Sequence, residues 1–201
     1  MNPVLAAPRI VKASSDQAEQ VALTLAAGFH DDPIFRWLVP DDERRREVLP
    51  PAFSLFAGAL MAHDETYVTA DGTGAALWVP PGREAIAEDD AEEFGARLVE
   101  ICGADAPRML EVLEVLDEHH PHEPCYFLNL LAVKPEAQGQ GIGSGMLEHA
   151  LDRCDREGVP AYLDATSERS KELYERHGFV AEAEYAAEGA PPFYPMWRQP
   201  A

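Results

Sequence analysis

Apolar and polar positions alternate along the chain in short blocks, and their spacing predicts the elements. Residues 8–13 read as a first strand. Ser14, with Gln17 three residues on, forms a capping-box pattern that opens a helix through about Phe29. Asp31-Asp32-Pro33 breaks the pattern, and an aromatic-rich segment over 34–39 ends at Pro40. Asp41 caps a basic helical stretch through Arg46. Pro50-Pro51 is expected to interrupt or kink it, because proline removes a donor and clashes with the preceding turn. Helical spacing resumes over 53–61. Segments 66–69 and 75–79, joined by Asp71-Gly72-Thr73-Gly74, predict a β-hairpin. Two amphipathic helices follow over 84–100 and 107–118, the first strongly acidic.

The second half is more regular. Residues 125–133 (CYFLNLLAV) form a strongly apolar run, expected as a strand buried on both faces. A glycine-rich turn leads into a helix over 143–157 that stops at Gly158. A strand over 161–165, a helix over 167–177 closed by Gly178, and strands over 179–187 and 193–198 complete the chain. The order predicts a mixed α/β fold. With 201 residues, no internal repeat and no low-complexity linker, one domain over 1–201 is expected.

Composition narrows the function. The formal net charge is −20, from 36 acidic and 16 basic residues. Such a surface repels nucleic acid and anionic membrane and favours cationic small-molecule partners. No run approaches the roughly 20 apolar residues that span a bilayer, and the start has no secretory pattern. A soluble, cytoplasmic protein is therefore expected. Cys102, Cys125 and Cys154 cannot all pair within one chain and read as reduced thiols. His119, His120 and His122 lack partners at metal-ligand spacing, so no metal is expected.

The chemistry is concentrated in Val133-Lys134-Pro135-Glu136-Ala137-Gln138-Gly139-Gln140-Gly141-Ile142-Gly143-Ser144-Gly145. An apolar strand stops at a proline, and four alternating glycines lead into a helix. Glycine permits positive φ and close approach of a ligand, and the free amides of a helix start form an anion site. A plain strand-to-helix turn needs one glycine or two, not four. No Gly-Lys-Ser/Thr tripeptide follows, which excludes a P-loop. The dinucleotide fingerprint G-x-G-x-x-G fails at Ser144 or Met146, although Asp164 stands about 20 residues on.

Gln138, Gly141 and Gly143, preceded by Val-x-Pro, resemble the acetyl-CoA-binding motif of the GNAT acetyltransferase superfamily. Leu173-Tyr174-Glu175-Arg176-His177-Gly178-Phe179 is similar to the Leu-Tyr-x-x-x-Gly-Phe signature that ends that family's core. The stretches beginning at His122, Glu157 and Tyr174 look like puromycin N-acetyltransferase and its bacterial relatives. Ala75-Ala76-Leu77-Trp78-Val79 extends this resemblance more weakly.

The resemblance implies a central mixed, mostly antiparallel sheet with a splayed pair of strands, flanked by helices. It also implies an acetyl-CoA-dependent N-acetyltransferase acting by direct attack on a primary amine, as a monomer or homodimer. Residues up to about 120 would form the substrate side and 121–201 the cofactor core. Leu131, Ala132 and Val133 would pair with the pantetheine arm. Amides over Gln138, Gly139, Gln140, Gly141, Ile142, Gly143 and Ser144 would take the pyrophosphate. Ser167 stands where the family often has an asparagine, and Lys171, or Lys134, would reach the phosphates. Because that pocket relies on close-range amides against a negative protein, cofactor binding is expected to tighten or hold steady as salt is added.

Tyr174 stands where the family's tyrosine protonates the departing thiolate. Candidates for the base are Glu123, His120 and His122, with Asn129 positioning a water. Asp31, Asp32, Phe35, Trp37 and Trp78 would line an acidic, aromatic site for a cationic amine. Cys125 offers a rival acetyl-cysteine route. A CoA-binding domain without turnover, or a protein N-acetyltransferase, stays open as an alternative.

Overall fold

The computed structural model describes residues 9–201. β1 (Ile10–Lys12) is the expected first strand, whose Pro8 lies outside the described residues. The Ser14–Gln17 capping box forms, and one 3-10 turn leads into α1 (Ala18–Phe29). α2 (Pro33–Leu38) has proline in its first turn, where a missing donor costs nothing. α3 (Asp42–Leu60) is capped by Asp41 and runs through Pro50 and Pro51. The expected break there does not occur. Arg46 and Glu47, four residues before the prolines, are exposed, so their freed carbonyls can meet water. Val48, Leu49, Ala52, Phe53 and Ala57 keep a continuous buried stripe across that point.

β2 (Thr66–Thr69) and β3 (Gly74–Val79) form the predicted hairpin. Thr69 Oγ1 closes its loop by accepting from the Thr73 and Gly74 amides, both at 2.9 Å. α4 (Ala91–Cys102) begins later than its spacing suggested, and α5 (Ala106–His119) follows. Next come β4 (Tyr126–Val133), α6 (Ile142–Glu157), β5 (Ala161–Ala165) and α7 (Glu168–Arg176). The strand expected over 179–187 shortens to β6 (Val180–Ala181) and an isolated bridge between Tyr185 and Phe193; β7 (Tyr194–Arg198) ends the sheet.

The seven strands lie in the order β1-β2-β3-β4-β5-β7-β6. Only β4 and β5 are parallel. Their pairing stops at Leu128 and Leu163, whereas β4 stays paired to β3 up to Val133. Residues 129–133 therefore leave one edge of β4 without a neighbouring strand, which is the splayed pair. This corrects the expectation that β4 is buried on both faces: most of its positions beyond Leu128 are only half-buried.

The strands' period of two sorts the core. Ala76 and Trp78 face α6, packing with Met146, Leu147, Ala150 and Leu151. Ala75, Leu77 and Val79 face α1 and α3, packing with Val21, Leu25, Leu49 and Phe53. On β4 the parity changes at Asn129. Tyr126 and Leu128 share the α6 face, yet beyond the irregularity Leu131 and Val133 do so. Asn129 is the extra residue of a bulge opposite Leu77 and Trp78. A third cluster joins α2 and α3 to α4 and α5 through Leu38, Val48, Leu98 and Met109. No helix among the described residues is long and apolar enough to cross a membrane.

Candidate active site

The opening between β4 and β5 widens into a cleft of about 1710 Å³ that runs from the start of α6 to the α1–α2 junction. At its α6 end, Gly139 and Gly141 have φ of 75° and 81°, conformations that favour glycine. A Cβ added at either would meet nothing within 4 Å, so both border open space. Gly143 and Gly145 serve packing instead: an added Cβ would stand 3.3 Å from Leu173 and from Ile10 respectively.

The first closed bond of α6 runs from the Gly145 amide to the Gly141 carbonyl at 3.0 Å. Amides over residues 139–144 donate to no acceptor among the described residues. They form a concentrated set of donors at a helix start. Gln138 locks this turn to the strand by donating from Nε2 to the Val133 carbonyl at 3.0 Å.

The open edge of β4 continues the site. Lys134 donates to Thr73 at 2.8 Å, so alternation turns the amides and carbonyls of Leu131 and Val133 away from β3, into the opening. Helix α1 lies directly against this strand end. A Cβ at Gly28 would come within 2.7 Å of Ala132 Cβ and 3.1 Å of the Val133 carbonyl. Unpaired amides beside an unpaired strand edge fit a pyrophosphate with an extended, amide-bearing arm.

Tyr174 lines the middle of the cleft. It is 7% exposed, packs edge-on against Phe179 with centroids 5.9 Å apart, and its hydroxyl makes no hydrogen bond among the described residues. Burial, and then the charge of nearby Asp32, push its pKa well above the ordinary tyrosine value. Asp32 caps α2 by accepting from the Ile34 amide at 2.9 Å and also accepts from the Thr166 hydroxyl just beyond β5. Burial raises its carboxyl to about 6, against the lowering effect of those hydrogen bonds.

Arg45, 3% exposed, holds the segment that carries Asp32. It donates to the His30 carbonyl at 2.7 Å, to Val39 at 2.8 Å and to Pro40 at 3.2 Å, bracketing α2 at both ends.

Most of the residues expected at the site meet here. Asp31, Asp32, Phe35, Glu123, Asn129, Leu131, Ala132, Val133, Gln138, Gly139, Gly141, Ile142, Gly143, Ser144, Ser167 and Tyr174 all line the cleft. Glu123 is exposed at its rim. Four others lie elsewhere. Trp78, 1% exposed, points to the α6 face because it shares strand parity with Ala76. Trp37 packs against the third core cluster and under the Arg108 guanidinium, 5.4 Å from the ring centroid. The Lys171 ammonium lies 4.8 Å from the Tyr194 ring and 3.5 Å from Glu168. The Gln140 side chain bonds back to the Glu136 carbonyl at 3.2 Å. Ser167 is occupied as the α7 cap, its Oγ accepting from the Ser170 amide at 3.2 Å.

The cationic residues that do border the cleft are Arg83, Arg169 and Arg176. Burial, and secondarily Glu123, push the Cys125 thiol up to about 11, unfavourable for a thiolate nucleophile. Among the described residues no group of three or more His, Cys, Asp and Glu could hold a metal ion. Thr166, Arg45 and Gly28 are cleft or supporting residues that the sequence does not single out, and Asp164 stands out there only against the rejected dinucleotide pattern; the glycine inside an otherwise helical run carries a local signal.

A sheet that opens between its two parallel strands, with an amide-rich turn at the opening, is the arrangement of an acyltransferase. Residues 78–179, half of the chain, match the model of the acetyltransferase (GNAT) family, and the chain belongs to that family. Members of the family use acetyl-CoA. An uncharacterized N-acetyltransferase of Schizosaccharomyces pombe is 26% identical over 175 residues, 81% of this chain and 70% of the relative. The crystal structure described as histone acetyltransferase HPA2 and related acetyltransferase of Corynebacterium glutamicum is 27% identical, with 98% of each chain covered and a TM-score of 0.74. Arylalkylamine N-acetyltransferase 2 of Aedes aegypti shares the fold at 14% identity, covering 95% of this chain and 98% of its own, with a TM-score of 0.58.

Proposed function

We propose that this protein moves the acetyl group of acetyl-CoA to the primary amine of a small cationic molecule by direct attack in a ternary complex. The observation that carries this reading is the convergence of a buried tyrosine, whose hydroxyl has no partner among the described residues, and a half-buried carboxylate beside the unpaired amides and open β4 edge. Amides over 139–144 hold the pyrophosphate, and Leu131 and Val133 hold the extended arm. Among Glu123, His120, His122 and Asp32, the half-buried Asp32, held by two hydrogen bonds, best suits the role of base. It is ionised above about pH 6, binds the ammonium form, takes one proton from it and passes that proton to water, and accepts the second as the neutral nitrogen forms its bond to carbon. An ordinary amine pKa of about 10.4 makes that acceptor necessary. Tyr174, kept protonated, donates to the sulfur as the carbon–sulfur bond breaks. Transfer of the proton from Asp32 to Tyr174 restores both groups.

Acidic side chains outnumber basic ones around the cleft, which supports a cationic acceptor. A thiol-release assay with acetyl-CoA against alkylamines, arylalkylamines, amino acids, peptides and puromycin tests the reading. Puromycin belongs in the panel because of the local sequence resemblance. Release that depends on a small amine supports the proposal; acetyl-CoA binding with no amine-dependent release overturns it. Release with peptides alone would point instead to a protein substrate.

A further inference from the structure

A second carboxylate lies in the same cleft and has no part in the transfer itself. Asp164, near the end of β5, lines the cleft. Its Oδ1 accepts from the hydroxyls of Tyr162 at 2.7 Å and Tyr185 at 2.8 Å. Neither tyrosine lines the cleft, so both hold the carboxylate from behind. Tyr185 is fixed in turn by His119, stacked on it at 4.0 Å, and by Phe193 at 5.6 Å. Asp164 Oδ2 accepts nothing from the described residues. The carboxyl is thus oriented with one oxygen committed and the other left to the cleft.

Burial raises this carboxyl to about 6, so it carries its charge at neutral pH. Neither Asp164 nor Asp32 forms an ion pair with any lysine or arginine among the described residues. A half-buried carboxylate with no lysine or arginine partner is costly, and a bound cation would reduce that cost. Tyr174, more than nine-tenths buried, within the influence of the Asp32 charge and with a hydroxyl that makes no hydrogen bond among the described residues, marks the reacting end. Asp164 stands two residues before Thr166, whose hydroxyl reaches Asp32. Asp164 and Asp32 thus both border the cleft, joined through Thr166 two residues beyond Asp164.

We propose that Asp164 is a second anchor for the acceptor, binding a distal ammonium while the proximal amine is acetylated beside Asp32 and Tyr174. The acceptor class is then a diamine, carrying two positive charges into a chain of net charge −20. This inference rests on the transferase reading above.

The test compares diaminobutane with pentylamine and aminobutanol, which share its length and lack the distal charge; these two stand for the monoamines below. Thiol release by the wild-type protein should show kcat/KM for the diamine about tenfold or more above both analogues, the size expected for one charged hydrogen bond. Asp164→Asn should bring that ratio to within about threefold. Tyr185→Phe, which keeps the carboxylate and removes one of its supports, should lower the ratio to an intermediate value. The wild-type comparison needs no variant to fold: equal use of diamine and monoamine overturns this inference and leaves the transferase reading standing. No release with any amine overturns both.

Discussion

Asp32→Asn should raise stability and abolish most activity, two effects of opposite sign from one atom. Burial lifts the Asp32 carboxyl from the ordinary 3.8 to about 6 in the folded protein. The folded state therefore binds this proton more tightly than the unfolded chain. The group's effect on stability is neutral below about pH 4, grows unfavourable as pH rises towards 6, and is fully present above 6. A shift of this size corresponds to roughly 3 kcal/mol at neutral pH.

Asparagine caps helices about as well as aspartate, and its amide can still pair with the Thr166 hydroxyl. The variant should recover roughly 1–3 kcal/mol at pH 7.5, or about 3–10 °C in melting temperature for a chain of this size. Without a proton acceptor, kcat/KM for the amine should fall by about 100-fold or more. Thermal melts at pH 4 and pH 7.5, with thiol-release kinetics at pH 7.5, measure both. The stability gain should vanish at pH 4. A variant less stable than wild type at pH 7.5, or one within about threefold of wild-type kcat/KM, would refute the reasoning.

Three further outcomes follow from neighbouring groups. Tyr174→Phe removes a hydroxyl that makes no hydrogen bond among the described residues, so kcat should drop by roughly 100-fold with the melting temperature and the KM for acetyl-CoA little changed; an unaltered kcat would remove Tyr174 from the mechanism. Gly141→Ala places a side chain at φ 81° with open space before it, so its cost is conformational, about 1–2 kcal/mol, and re-aimed amides should raise the KM for acetyl-CoA more than that for the amine. Cys125→Ala should keep kcat within about threefold, because its thiol is held at about 11; loss of turnover would instead indicate an acetyl-cysteine step.

Local pattern carried much of this structure. The Ser14–Gln17 capping box, the 66–79 hairpin and the glycine-rich entry to α6 each depend on residues a few positions apart, and each forms. Other features depend on contacts that no local pattern contains. Pro50 and Pro51 sit inside α3 because the buried stripe around them outweighs the lost backbone bonds. The apolar run of β4 cannot reveal that its partner strand diverges after Leu128.

Trp78 reads as an aromatic near the site, but strand parity directs it to the other face. Arg45 acts on carbonyls up to fifteen residues away, and Asp164 is oriented by Tyr185, twenty-one residues on. The glycine-rich end of the cleft was therefore legible, while much of its α1–α2 end is built by tertiary pairing.

The central claim is direct transfer between two bound substrates. Incubating the protein with acetyl-CoA labelled in the acetyl carbons and a short diamine, followed by mass spectrometry of both the small molecules and the intact protein, tests it most directly. The account predicts label on one amine nitrogen in step with free thiol, and none on the protein. Label retained on the protein, or released only as acetate, would contradict it.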